Sequence, residues 1–116
     1  MIHKEKLTNA GVDLNTALDR FMNSEVLYEK FLHKFLEDQT FYKLKAHLDN
    51  KNIPEAFAAA HILKGLCGNL GFSSLTDIIN PINETLRSGQ TDGIDERMKL
   101  LEVRYQELCS AIKNNS

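Results

Sequence analysis

Residues that interrupt helices or build sheets are scarce in this 116-residue chain. It has 6 glycines, 2 prolines and no tryptophan, and nowhere do several β-branched residues alternate with polar ones. A half-buried strand requires that alternation, because successive side chains point to opposite faces of a sheet. The apolar residues instead recur at the three- and four-residue intervals of amphipathic helices. The sequence therefore predicts an all-α fold.

An excess of positive charge is also missing. Lys and Arg total 14 against 16 for Asp and Glu, which gives a formal net charge of -2. Nucleic-acid binding and electrostatic attachment to a membrane both need a basic surface, so we expect neither. The longest apolar stretch, Ala56 to Leu63, contains His61 and is far shorter than the roughly 20 residues that span a bilayer.

Cysteine is too rare for a disulfide framework, since the chain has 2. We therefore expect a reduced, cytoplasmic protein, and no apolar segment follows the charged first residues as a secretory signal would require. The histidines His3, His33 and His47 show no spacing typical of metal ligands on helices, so no metal site is expected. No motif indicates a cofactor either.

Local start and stop signals divide the chain into helices. Asp13, Ser24 and Asn52 are suited to cap helix N-termini, and Gly71 and Gly89 are suited to end helices. Residues 24–49 contain no Gly or Pro and are predicted to form one long helix, in which a break near residues 38–40 would explain a drift of the apolar phase.

These helices predict an up-down antiparallel four-helix bundle with a short extra N-terminal helix, because short connections between long amphipathic helices favour antiparallel neighbours. The bundle domain is expected over residues 13–113, and residues 1–12 are expected to be a flexible lead-in. We expect the domain to be a monomer.

The segment from Ala56 to Leu70 differs from a plain bundle helix. Projected at about 100° per residue, it places opposite His61 an apolar seam that consists of Ala56, Ala60, Leu63, Cys67 and Leu70. Four residues share the side of His61: Phe57, Lys64, Gly65 and Gly68. Each glycine lowers helix stability by about 1 kcal/mol relative to alanine, and a solvent-facing position does not require it. We predict that Phe57, Gly65 and Gly68 form a docking patch on which another macromolecule approaches the His61 ring.

The side chains of this patch suit phosphoryl transfer. A neutral imidazole ring is a good nucleophile near neutral pH. Lys64, one helical turn from His61, can stabilise the negative charge of a phosphoryl group on the ring nitrogen. Because phosphoryl transfer depends mostly on positioning and charge stabilisation, a partner protein can supply the remaining groups, including its metal ion.

The stretch from Ala60 to Gly71, AHILKGLCGNLG, resembles the signature of histidine-containing phosphotransfer (HPt) domains. That signature is roughly His-x-Leu-Lys-Gly, followed by small residues and Leu-Gly. The flanking segments Leu27–Phe35 and Leu86–Gly89 also resemble the family, so the resemblance covers most of residues 13–113.

This resemblance implies a phosphorelay intermediate of two-component signalling. His61 would carry the phosphoryl group, Lys64 would stabilise it, and Gly65 would leave room for the partner. Asn83 stands where some family members have a glutamine that is hydrogen-bonded to the histidine, so it is a candidate partner of the imidazole. The expected partners are response-regulator receiver domains, which would exchange the phosphoryl group through an aspartate, and a hybrid sensor histidine kinase.

Two further interpretations remain. The chain has no glycine-rich nucleotide loop, so it is expected to be a phosphocarrier without kinase activity of its own. A helical adaptor that docks a receiver or kinase domain without phosphotransfer would use the same face of the helix. Covalent labelling by a phosphorylated receiver separates the two, because an adaptor gains no phosphate.

Overall fold

Seven α-helices make up the fold in the computed structural model, which describes residues 2–114 and shows no strand among them. The helices are α1 (Lys4–Asn9), α2 (Leu14–Arg20), α3 (Glu25–Glu37), α4 (Thr40–Asp49), α5 (Ile53–Leu70), α6 (Ser73–Arg87) and α7 (Ile94–Lys113). The predicted all-α class is confirmed. None of the helices in residues 2–114 combines the length and the apolar character needed to cross a membrane.

A four-helix bundle forms the body of the molecule. Its first member is the interrupted pair α3 and α4, and α5, α6 and α7 are the others. Helix α5 packs against both α4 and α6, while α7 packs against α6 and α3. Short connections join the members, which confirms the predicted bundle.

The long helix predicted over residues 24–49 is broken where the apolar phase drifts. Helix α3 ends at Glu37, and the next residue, Asp38, has extended backbone angles (φ -72, ψ 136). The Asp38 carboxylate then accepts a 2.9 Å hydrogen bond from the backbone amide of Thr40, the first residue of α4. A side chain that competes for a backbone amide thus divides the segment into two helices.

A helix that was not predicted from the sequence precedes α2, within the segment that was expected to be a flexible lead-in. Residues 4–9 form α1, with the His3 side chain accepting a hydrogen bond from the amide of Lys6. Leu7 is completely buried, and Ile2 and Val12 are almost so. The sequence analysis missed this helix because one apolar side chain per short helix makes no amphipathic pattern, and contacts with α2 and α7 stabilise it instead.

The C-terminal end of α5 is held by side chains from two other helices. Gly71 ends the helix in the left-handed conformation (φ 76), as the sequence predicted. The Arg20 guanidinium donates a hydrogen bond to the Gly68 carbonyl, and the Tyr28 hydroxyl donates one of 2.5 Å to the Leu70 carbonyl. These bonds satisfy carbonyl groups that have no partner within the helix, so the end of α5 keeps a defined position.

Candidate functional site

Helix α5 presents the candidate site on its solvent-facing side. The helix begins after Asn52, whose side chain accepts a hydrogen bond from the amide of Glu55, and Pro54 lies in the first turn, where a proline is tolerated. The seam predicted from the sequence is buried: Ala56, Ala60, Leu63, Cys67 and Leu70. The opposite side of the helix therefore faces solvent, and His61 lies on it.

His61 is exposed near the middle of α5. Its ring centroid lies 6.2 Å from that of Phe57, one turn earlier, with an interplanar angle of 33°. Within residues 2–114 the imidazole has no hydrogen-bond or ion-pair partner. Both ring nitrogens are therefore free of competing protein contacts, as a nucleophile that receives a group from another protein requires.

Lys64 lies one turn after His61 and is half-buried. The described part of the chain supplies no hydrogen-bond or ion-pair partner for its ammonium group. An ammonium without an acidic partner beside an exposed imidazole is available for an anion bound to that ring.

Gly65 and Gly68 leave space beside the histidine. Gly65 is exposed, and a Cβ atom built on either glycine meets no atom within 4 Å. Neither glycine is therefore needed for packing between helices. Gly68 is half-buried, and its carbonyl accepts the hydrogen bond from Arg20, so α2 borders the patch of Phe57, Gly65 and Gly68 on this side.

Phe57 is half-buried, although the helix projection places it on the open side. The guanidinium carbon of Arg87, at the end of α6, lies 5.9 Å from the centroid of the Phe57 ring. Projection of a single helix does not show how far a neighbouring helix reaches around it, and α6 covers part of this ring. The free edge of Phe57 is next to His61 and completes the patch on the side of α6.

Asn83 does not make the hydrogen bond to the imidazole that the resemblance implied. Its side chain is completely buried, and neither its amide nitrogen nor its amide oxygen has a hydrogen-bond partner within residues 2–114. Asn83 belongs to the buried side of α6 together with Ile79, Ile82 and Leu86. The short amide is enclosed between helices, whereas the His61 ring is in solvent.

The sequence analysis missed apolar groups that extend the patch toward α3. Ile62, directly after His61, is 55% exposed, and Phe31 on α3 is 38% exposed. Between α2, α3 and α5 lies an open cavity of about 500 Å³, whose lining includes Arg20, Phe21, Phe31, Lys34, Leu66 and Asn69. The helix projection that places His61 in solvent also predicts that Ile62 is exposed. The cavity cannot be predicted in this way, because three helices form its walls.

The two cysteines contribute no reactive group to the patch. Cys67 is buried in the seam of α5, and burial raises the pKa of its thiol. Burial also raises the pKa of Cys109 on α7. A thiol with a raised pKa is a poor nucleophile at neutral pH. Among the described residues no group of three His, Cys, Asp or Glu side chains is arranged to hold a metal ion.

Comparison with known proteins adds one positive finding. The model of the Hpt domain family matches residues 27–115 of the chain. This segment contains His61, the helices α4 to α7 and all of α3 except its first two residues, while α1 and α2 precede it. Searches of the curated proteins and of the solved structures gave no significant match.

Proposed function

The chain belongs to the Hpt domain family, whose members carry phosphoryl groups on histidine in two-component phosphorelays, and from that membership we propose that His61 is the phosphorylated residue. One observation carries the proposal. His61 is exposed on α5 and has no hydrogen-bond partner within residues 2–114. It lies beside Gly65, where an added Cβ atom would meet no atom within 4 Å. This arrangement leaves the imidazole accessible to a catalytic group on another protein.

The reaction is a reversible exchange with an aspartyl phosphate. A ring nitrogen of His61 attacks the phosphorus atom, the new P–N bond forms, and the P–O bond to the aspartate breaks so that the aspartate leaves as a carboxylate. The reverse reaction returns the phosphoryl group to an aspartate. Lys64 provides the positive charge that stabilises the phosphoryl oxygens, because its ammonium lies one turn away and has no acidic partner in the described chain.

The partner is a response-regulator receiver domain, which docks on the patch around His61. Gly65, Gly68 and the exposed edge of Phe57 border the imidazole, and the exposed side chain of Ile62 adds apolar area. An exposed isoleucine beside two uncovered glycines suits contact with the apolar surface of a second protein. A hybrid sensor histidine kinase that contains such a receiver domain is an equally suitable partner.

The protein acts as a carrier without kinase activity of its own. The proposed reaction uses one nucleophile and one cation from this chain, while the receiver contributes the aspartate and the groups around it. We place the domain in the cytoplasm as a monomer, where Cys67 and Cys109 remain reduced thiols.

Covalent labelling tests this function. Incubation with a phosphorylated receiver domain is expected to label the wild-type protein at His61 with an acid-labile, alkali-stable phosphoramidate. His61→Gln should remain folded and accept no label. His33→Gln is the matched control, because it removes a half-buried histidine from α3 instead, and it should be labelled at the wild-type rate. Label on an aspartate or serine would contradict the proposal. No label on a folded wild-type protein would contradict it as well and would favour an adaptor.

A further inference from the structure

Two asparagines on α6 bury polar atoms that have no hydrogen-bond partner. They are Asn83, with both amide atoms, and Asn80, with its Oδ1 atom. Buried polar atoms are almost always hydrogen-bonded, so an unpaired acceptor calls for a specific explanation. Asn80 is half-buried as a residue, and its buried oxygen therefore lies at the edge of a helix interface rather than at the centre of the core.

One contact and one shared cavity indicate the register between the antiparallel helices α5 and α6. At one end Arg87 lies over the ring of Phe57, with 5.9 Å between the guanidinium carbon and the centroid. At the other end Thr76 and Gly68 line the same small cavity, beside the turn at Gly71. The intervals match, since 11 residues separate Thr76 from Arg87 and 11 separate Phe57 from Gly68.

This register places Asn80 opposite Lys64. Asn80 precedes Arg87 by seven residues, and Lys64 follows Phe57 by seven residues. Seven residues are about two helical turns, so Asn80 lies on the side of α6 that carries Arg87, and Lys64 lies on the side of α5 that carries Phe57. Arg87 and Phe57 are in contact across the two helices. Asn80 and Lys64 are therefore brought to the same groove between α5 and α6.

The two groups are chemically complementary. Lys64 has an ammonium group with three N–H donors and no partner within residues 2–114, and Asn80 has a buried amide oxygen with no donor. In the structure they are not hydrogen-bonded to each other. The lysine chain has four methylene groups, so a change of rotamer moves its ammonium over several ångströms without moving the backbone.

We infer that Asn80 is a positioning residue for Lys64: its Oδ1 accepts one N–H bond from the ammonium and leaves the other donors for the phosphoryl group on His61. This role rests on the proposed phosphotransfer at His61. A flexible lysine loses side-chain freedom when it is held against an anion. A fixed acceptor on α6 holds the Lys64 ammonium near His61 before the phosphoryl group arrives. Less side-chain entropy of Lys64 is then lost during transfer.

The contact itself is tested without phosphotransfer. NMR spectra of the unphosphorylated, ¹⁵N-lysine-labelled protein should show a shifted ammonium signal for Lys64 in Asn80→Asp, and slower exchange of its protons with water, because a carboxylate binds the ammonium more strongly than an amide does. Asn80→Leu should speed that exchange relative to wild type. The other lysine signals serve as controls. An Asp substitution that leaves the Lys64 signal unchanged overturns the contact.

The role in transfer is tested by a double-mutant cycle. Asn80→Leu should slow single-turnover transfer by about 2- to 12-fold, the loss expected for one hydrogen bond. The same substitution in a Lys64→Ala background should cause no further loss, and Asn80→Asp should keep most of the rate. Equal losses in the two backgrounds, or an unchanged rate in Asn80→Leu, overturn the positioning role.

The two experiments separate this inference from the proposed function. A wild-type protein that accepts no label would disprove phosphotransfer, and the NMR measurement alone would then decide whether Asn80 holds Lys64. The melting temperature of Asn80→Leu, measured on the same preparation as its transfer rate, shows whether the variant is folded under the assay conditions. A slower rate in a variant that is fully folded at the assay temperature is then not caused by unfolding.

Discussion

The backbone amide of Asp13 donates a 2.7 Å hydrogen bond to the carbonyl oxygen of Gly71, so that α2 begins against the turn that ends α5. A Cβ atom on Gly71 would lie 2.7 Å from the Asp13 carbonyl oxygen and 2.7 Å from the Cβ of Ala17. Gly65, less than two turns earlier on α5, has open space at the same position. One glycine therefore serves packing, while the other leaves a surface uncovered.

This contrast gives opposite expectations for two alanine substitutions. Gly65→Ala should raise the free energy of unfolding by up to about 1 kcal/mol, because alanine favours a helix and meets no neighbour. Gly71→Ala should lower the free energy of unfolding by more than about 1 kcal/mol. The backbone φ of 76 at this position is unfavourable for alanine, and the added Cβ atom would clash with Ala17 of α2. Chemical denaturation of both variants measures the difference.

A larger side chain at Gly65 should impair transfer without unfolding the protein. Gly65→Gln is expected to slow transfer from a receiver domain, because the side chain occupies the space through which the receiver reaches His61. A small phosphodonor such as acetyl phosphate needs no docking surface and should still label His61 in this variant. Normal transfer from the receiver would show that the uncovered patch is not the docking site.

Lys64→Ala should slow transfer more than it weakens docking. The ammonium has no ion-pair partner in the described chain, and its interaction with the phosphoryl group strengthens as charge reaches the His61 ring. Loss of one charge-assisted contact of about 1.5–3 kcal/mol corresponds to a rate reduction of about 10- to 150-fold. Single-turnover rates and receiver affinity, measured on the same preparation, separate the two effects. An unchanged rate would remove Lys64 from the site.

Asn83→Leu should stabilise the fold. The amide is completely buried with no hydrogen-bond partner in residues 2–114, and leucine has a similar size without the polar atoms. Removal of this desolvated amide is expected to raise the free energy of unfolding by up to about 1–3 kcal/mol. Urea denaturation of wild type and variant provides the comparison. A clear loss of stability would show that ordered water pairs with the amide.

Tyr28→Phe should lower the free energy of unfolding at neutral pH. It should also reduce the amount by which that free energy falls in alkali. The variant loses the hydrogen bond to the Leu70 carbonyl, a loss of about 0.5–1.5 kcal/mol. Burial raises the pKa of Tyr28 above the usual value of about 10, so in alkali the unfolded chain releases this proton before the folded one. The wild-type free energy of unfolding should therefore fall as the pH rises above about 10, and the fall should be smaller in the variant.

The pH series carries its own control. Burial also raises the pKa of Tyr105 on α7, so some alkaline decline should persist in Tyr28→Phe. Equal declines in wild type and Tyr28→Phe would mean that the Tyr28 hydroxyl ionises as readily in the folded state as in the unfolded one.

The helix ends and the position of His61 could be predicted because they depend on local signals. Asn52 caps α5 and Gly71 ends it, as expected, and His61 lies on the exposed side opposite the buried seam. A capping side chain bonds to amides within three residues, and a buried face follows from the 3.6-residue period alone. Neither depends on where another helix lies.

Other features of the site could not be predicted from local sequence signals. Asn83 was placed beside the imidazole by family resemblance, yet its side chain is enclosed in the core without a partner. The helix projection placed Phe57 on the open side and left undecided whether a neighbouring helix contacts it, and Arg87 from the end of α6 reaches its ring. Both outcomes depend on how far α6 wraps around α5, which is a property of two helices together.

The sequence by itself determined the helical class, most of the helix bounds and the side of α5 that carries His61, Lys64 and Gly65, because each of these follows from interactions within a few residues. Only the tertiary structure decided that residues 4–9 form a helix, that Arg87 of α6 reaches the ring of Phe57 on α5, and that Gly71 rather than Gly65 is needed for packing. These depend on the distance and register between elements far apart in the chain, and those are set when the apolar faces of the helices pack into one core.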